Sequence, residues 1–289
     1  SLRTEYYIKT GIVLLGATLP LTLIVSAGPV AFLQATIVSL TTWFTIYLAS
    51  TRIFKHDPRF GAVLGAAGAV CGVSASIAVG ASVKARKEHI AIGISIVSLW
   101  AIVMIFFIPL AGKAMGLAAP VIGAWIGTSE FADAAGYAAA AAIGEESAIQ
   151  AFTLMKVIGR DIWIGIWCFV LSIVAVAVWE KREGQGSGER VGMGVIWERF
   201  PKFVIGFVAA SVLMTIIVKV YGAESGEAFD AIQGDLIKPI KTLRTWTFVF
   251  TFLCIGLTTR FKELLMFGWQ PFWAFTIGVF VNVPLGYFL

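Results

Sequence analysis

The sequence predicts an all-α, polytopic membrane protein, and three observations predict it. Of its 289 residues 58% are hydrophobic and 13% charged, with a mean hydropathy of +0.88, far from the composition of a soluble domain. Apolar stretches recur at 9–27, 30–50, 89–111, 162–179, 203–220, 246–259 and 271–289, and all but the shorter 246–259 are long enough to cross a roughly 30 Å hydrocarbon core as a helix. The alternating segments of about ten residues that would build a closed barrel are absent from the sequence.

Charge placement orients these elements in order. Arg52, Lys55 and Arg59 follow the stretch at 30–50 and assign that loop to the cytoplasm, because Lys and Arg are retained inside. The linker EKREGQGSGERVGMGVIWER at 180–199, with Lys181, Arg182, Arg190 and Arg199, is cytoplasmic by the same rule, as are Arg260 and Lys262. The segment 221–236 carries acids and no Lys or Arg and is expected outside. Two segments rich in small residues complete the chain, GAVLGAAGAVCGVSASIAVGAS from residue 61 and APVIGAWIGTSEFADAAGYAAAAAIG from residue 119. Full crossing by both would put Lys84, Arg86 and Lys87 outside, against the charge rule. Hairpins that enter and return remove the conflict, and two crossing broken helices give the same parity downstream; hairpins are the favoured reading.

The chain also resembles itself. Residues 2–28 and 243–268 both begin Leu-Arg-Thr and both carry Gly-x-Thr, Gly16/Thr18 and Gly256/Thr258. A weaker pairing links 61–111 with 117–179. The flanking charges give the copies opposite directions, and inverted repeats of this kind characterise secondary transporters. The chain is therefore read as one transmembrane transporter domain over 1–289, with repeat regions 1–111 and 112–289. The stretch 203–220 has no partner upstream of residue 2, so further N-terminal helices are expected before Ser1.

The small-residue segments hold the candidate site. Broken backbone at membrane depth survives only where protein or a water-filled cavity surrounds it. In CGVSAS, Gly72 lets a ligand approach the backbone, Ser74 and Ser76 offer hydroxyls beside Cys71, and a half-helix N-terminus offers N–H groups to an anion. Helix packing by Gly61, Gly65, Gly68 and Gly72, with the serines bonded back to their own helix, is the alternative. In GTSEFADAAG, Thr128 and Ser129 precede Glu130 and Asp133, and a carboxylate at membrane depth costs about 2.5–3.5 kcal/mol even on the lenient scale. On one helix Glu130 and Asp133 would share a face, where they could hold a proton between them or meet a cation. An exposed loop would tolerate both acids without cost. Lys156 and Arg160, four apart, offer two positive charges to an anion or to these acids, or anchor the helix at the interface beside Trp163 and Trp167.

Other classes are poorly served by the sequence. Cys71, Cys168 and Cys254 form no CxxC pair and His56 and His89 no ligand spacing, so neither a disulfide framework nor a structural metal is expected. The net charge of +5 belongs to residues flanking membrane stretches, which argues for topology and against nucleic acid. No GxxxxGK[ST] run is present, and the chain is read as neither an enzyme nor a cofactor protein.

CGVSAS, then VKARKEHIAIGISIV, then GTSEFADAAGYA with its downstream Lys and Arg, together resemble the bacterial sulfate exporter family of YeiH-type membrane proteins. The likeness covers nearly the whole chain, and Cys-Gly-x-Ser-Ala at 71–75 is its most specific part. Where the family pattern has a His-Glu pair with Gln nearby, Ser129 stands for the His, Glu130 matches the Glu and Asp133 stands for the Gln; the departure bears on the substrate more than on the fold. The resemblance implies kinship with the bile acid, arsenite and riboflavin transporter superfamily, hence interrupted helices and elevator-type alternating access. It implies a multi-pass protein of the bacterial inner membrane that carries a small anion with H+ or Na+, with a homodimer as the candidate assembly. Substrate contacts fall on Cys71, Gly72, Ser74, Ser76, Thr128, Ser129, Lys156 and Arg160, and ion coupling on Glu130 and Asp133. A cation/proton exchanger using the two acids and a passive anion channel are the alternatives.

Overall fold

The computed structural model describes residues 4–18, 29–161, 163–179, 202–220, 231–258 and 268–289, and every element among them is helical. The linker 180–199, most of 221–236, Arg260, Lys262 and the Gly28 end of the longer repeat lie outside the described residues. Among the described residues, three helices are long and apolar enough to cross a membrane, at Phe32–Ile53, Lys87–Ala114 and Gln270–Phe288. Shorter apolar helices cover Gly72–Ser82, Trp163–Trp179 and Val208–Val220.

In chain order the helices are α1 (Thr4–Ala17), α2 (Pro29–Leu48), α3 (Pro58–Ala69), α4 (Gly72–Ser82), α5 (Lys87–Ala114), α6 (Ala119–Ser129), α7 (Asp133–Ala141) and α8 (Glu146–Thr153). There follow α9 (Trp163–Val174), α10 (Lys202–Val220), α11 (Lys238–Thr258) and α12 (Gln270–Phe288). Wider π-helical turns extend α2 through Ala49–Ile53, α8 through Leu154–Arg160 and α9 through Ala175–Trp179, and Gln233–Ile237 precedes α11.

Two compact units divide the chain, and each is described by itself. One holds Ser1–Ser26, Ala81–Lys84 and Gly165–Thr259; the other holds Ala27–Gly80, Ala85–Ile164 and Arg260–Leu289. In the first, α1 packs on α10 and α11, where Val13 sits 2.8 Å from the place a side chain at Gly206 would take. Arg244 donates to Thr18 Oγ1 there at 3.0 Å.

The second unit is organised by α5, whose 28 residues span about 42 Å. The start of α3 is set by local chemistry: Asp57 accepts hydrogen bonds from the Arg59 and Phe60 N–H groups, and Pro58 fills the first helical position. Phe60 stacks on His89 at the start of α5, with ring centroids 4.6 Å apart. The far end of α4 returns to the same place, since a side chain at Gly80 would meet Ile90 at 2.5 Å and Val63 of α3 at 3.6 Å. Thus α3 and α4 form a hairpin with its open end at the N-terminal end of α5. At the other end, Gly112 meets Ile122 of α6, and Lys113 donates to the Ala142 carbonyl just after α7 at 3.4 Å. Hence α6 and α7 form a second hairpin, open toward the C-terminal end of α5. Gly116 and Gly144, with φ of 68° and 90°, take the left-handed conformations that the turns flanking it require.

Small residues let these helices close on one another. Ile46 of α2 fills the space left by Gly68 of α3 and Gly278 of α12, and Trp43 lies 3.0 Å from the place a side chain at Gly65 would take. Around them Leu64, Val97, Ile126, Phe131, Phe152 and Phe275 form a continuous buried core.

Candidate functional site

The two hairpin tips meet. Val70 and Cys71 separate α3 from α4, and Glu130, Phe131 and Ala132 separate α6 from α7. The Gly72 N–H donates to the Phe131 carbonyl at 2.6 Å, so each tip satisfies part of the other. A side chain at Gly72 would overlap Val97, near the middle of α5. The meeting point therefore lies midway along α5, and the glycine leaves room there for the Val97 side chain.

Each interruption strands backbone carbonyls at the C-terminal ends of α3 and α6, the negative ends of their dipoles. Two fully buried cations receive them. Arg160 donates through Nε to Ala69 at 3.0 Å, through Nη2 to Gly68 at 2.8 Å, and through Nη1 to Gly127, Thr128 and Glu130 at 3.3, 2.7 and 3.1 Å. Lys156 Nζ donates to Val70 at 2.6 Å and Glu130 at 2.9 Å, and lies 3.8 Å from Asp133 Oδ1. The interfacial-anchor reading of these cations is excluded by their burial, both at 0% exposure. Their charge is turned toward helix ends, and toward Asp133, from one segment, the π-helical turn after α8.

The acids differ from one another. Glu130 is in the interruption, not on a helix with Asp133. It is fully buried, its Oε1 accepts from the Phe131 and Ala132 N–H groups at 2.9 and 3.2 Å, and its Oε2 has no hydrogen-bond partner. It thereby satisfies the two N–H groups of the interruption that lead into α7. Asp133, the first residue of α7, keeps a third of its side chain exposed and pairs with Lys156.

Of the remaining sequence-predicted residues, Ser76 donates back to the Gly72 carbonyl at 2.6 Å, as the packing alternative describes. Ser74 is half-buried and hydrogen-bonds to Cys71, which is buried at the tip. Thr128 Oγ1 lies 3.3 Å from the Gly286 carbonyl of α12, while the buried Ser129 hydroxyl has no hydrogen-bond partner. All ten positions belong to the same unit, on or beside the tips.

Sequence reasoning missed Asn282 and Asp161. Asn282, fully buried on α12, donates to Thr42 Oγ1 at 2.8 Å and the Thr128 carbonyl at 3.3 Å, tying α2, α6 and α12 together. A lone amide in the apolar run VFVNVPLG was its signal. Asp161 joins Cys71 and Asp133 in a group whose ligand atoms all lie within 4.8 Å of one another, among the described residues the set suited to a metal ion. Lys156, paired with Asp133, already brings a positive charge to that group.

The family model for Conserved hypothetical protein 698 matches residues 2–274. UPF0324 membrane protein RB9488 of Rhodopirellula baltica is 34% identical over 288 residues, covering 99% of this chain and 51% of its own length. A UPF0324 membrane protein of Nitratidesulfovibrio vulgaris is also 34% identical, covering 99% of this chain and 48% of its own length. One of Campylobacter jejuni, Cj0999c, is 27% identical over 98% of this chain and 76% of its own. The chain spans about half the length of the first two relatives. No solved structure matches the chain.

Proposed function

We propose that the chain, which belongs to the Conserved hypothetical protein 698 family of membrane proteins, is a secondary active exporter of a small anion such as sulfate, sulfite or an organosulfonate, coupled to a proton or Na+ gradient. One observation carries the reading: two hairpins approach from opposite ends of a spanning helix and meet with their backbones interrupted at mid-length. Interrupted helices at membrane depth are costly unless they line a protein-enclosed site, and their dipole ends are what transporters aim at ions and anions. The antiparallel placement of the hairpins supports the inverted-repeat reading, and with it alternating access of elevator type in a multi-pass inner-membrane protein.

The two positive helix ends at the tips divide the work. At the second, the Glu130 carboxylate takes the two N–H groups that lead into α7 and so places a negative charge beside that end. The first-turn N–H groups of α4 beyond Gly72, whose own N–H is taken by the Phe131 carbonyl, lie beside Cys71 and Ser74 and are the end an anion uses. An anion there sits close to Asp133, which lies within 4.8 Å of Cys71, so its binding favours a proton or a cation on the neighbouring acids. That proximity is the physical basis for coupling.

The alternative of cation/proton exchange uses Glu130 and Asp133, and the place of Asp133 in the group with Cys71 and Asp161 speaks for it. Flux measured in proteoliposomes separates the readings: labelled sulfate, sulfite or taurine should move against its own gradient when a pH or Na+ gradient is imposed. Anion flux indifferent to both gradients would indicate a channel, and cation flux without anion flux the exchanger. Cysteines placed at Gly186 and Ser225 in a cysteine-free background should react from opposite membrane sides, Gly186 from the cytoplasm.

A further inference from the structure

The point where the tips meet has the donor set of a cation site. The Val70 carbonyl at the end of the first hairpin's ascending helix, the Glu130 carbonyl at the end of the second's, and the Asp133 carboxylate converge from separate elements. Carbonyls at half-helix C-terminal ends together with a carboxylate are what transporters with interrupted helices present to a free monovalent cation. Here that point holds the ammonium group of Lys156. Its distances to the two carbonyls, 2.6 and 2.9 Å, are full charge-assisted hydrogen bonds, and the residue has 0% exposure.

The surroundings show that the position is built for one positive charge. Removing Lys156 would leave two carbonyls at the end of helix dipoles and Asp133 Oδ1, which has no hydrogen-bond partner of its own, around a buried gap. The charged and titratable groups facing it are Cys71 from the first tip, Glu130 and Asp133 from the second, and Arg160 and Asp161 from the end of the turn that carries Lys156. Arg160 does not substitute for the ammonium, because its guanidinium is engaged by four other carbonyls besides that of Glu130, which the two side chains share.

We propose that the Lys156 ammonium is a tethered cation standing where a free coupling cation would otherwise bind between the hairpin tips, so that the protein takes no Na+ there and the ion coupled to anion movement is the proton. The inference rests on the transporter reading for its second half. Its first half, the occupancy of the cation position, stands on the contacts alone.

The test uses the full chain purified in detergent and needs no transport. The melting temperature of the wild type should be the same in Na+ and in choline at equal ionic strength. Lys156→Ala should melt lower and should regain at least about 2 °C with methylammonium or ethylammonium, which replace the lost donor, but not with tetramethylammonium, which has no N–H to donate. A wild type stabilised by Na+ would overturn the proposal, as would a Lys156→Ala protein that melts like the wild type and ignores the primary ammonium ions. Should that variant fail to fold, the Na+ comparison on the wild type still decides. In proteoliposomes, flux that follows a pH gradient without Na+ is expected, and strict dependence on Na+ would overturn the second half. Absence of any anion flux would count against the transporter reading and leave the melting results standing.

Discussion

The two hairpin tips share an architecture and differ in charge. The first, Val70–Cys71–Gly72, contains no acid, and its α4 end is flanked by a half-buried serine. The second, Glu130–Phe131–Ala132, brings a buried carboxylate that folds back onto the N–H groups leading into α7, with Asp133 directly behind. Both leave carbonyls at the ends of their first helices, and both sets are collected by Lys156 and Arg160 from a single turn. The difference teaches that similar backbones are told apart by a few side chains: the proposed reading gives the anion to the first tip and the coupling ion to the second, while two cations hold the pair together.

The largest expected effect breaks both tips at once. Arg160→Met leaves carbonyls of Gly68, Ala69, Gly127 and Thr128 without that partner, and removing one side of a buried charged network typically costs about 3–5 kcal/mol. Loss of monodisperse protein in detergent chromatography is the expected result. Arg160→Lys should rescue poorly, since one ammonium cannot reproduce the planar fork.

A smaller effect separates the tips. Gly72→Ala places a methyl group against Val97 and should destabilise by about 1–3 kcal/mol, with recovery in the double variant carrying Val97→Ala, because only a side chain is in the way. On the second hairpin Gly123 faces the backbone of Ala148, which has no side chain to trim, so Gly123→Ala should be the more damaging change and resist rescue. Thermal denaturation of the four proteins checks the order.

The smallest effect lies away from the tips, at the open end of the first hairpin. His56, bonded to Ser50 and in ring contact with Phe60, has its pKa pushed below the usual 6.5 by burial, against a hydrogen bond to Gln270 that raises it. A lowered folded-state value means the unfolded chain binds the proton more readily. Stability should therefore be unaffected above about pH 7 and decline as the pH falls through about 6.5. His56→Gln should flatten that decline in melting curves recorded between about pH 7.5 and 5.5.

Much of this architecture is legible in the sequence. The helices follow from apolar length, and the preference for hairpins over crossing broken helices follows from Lys84, Arg86 and Lys87, whose charges stand against full crossing of the preceding segment. Glu130 and Asp133 announce themselves because acids are expensive among alanines. The partners of Lys156 and Arg160 are not legible, because a stranded carbonyl has no sequence signature and its position depends on where two distant interruptions meet. Reading the two cations as anion ligands follows from side-chain chemistry alone; the backbone they satisfy appears only in three dimensions. Asn282 escapes for a related reason, since its contacts to Thr42 and Thr128 join residues 240 and 154 positions apart.

The central claim is that an ion is carried at the second tip and an anion at the first, and Glu130→Gln in proteoliposomes tests it most directly. The substitution keeps the shape, and the amide oxygen can still accept from Phe131 and Ala132, but the proton can no longer come and go. Wild-type anion flux should accelerate under an imposed pH gradient, whereas the variant should still exchange labelled for unlabelled anion across equal concentrations and show no response to the gradient. A variant whose flux follows the pH gradient as the wild type does would contradict the account.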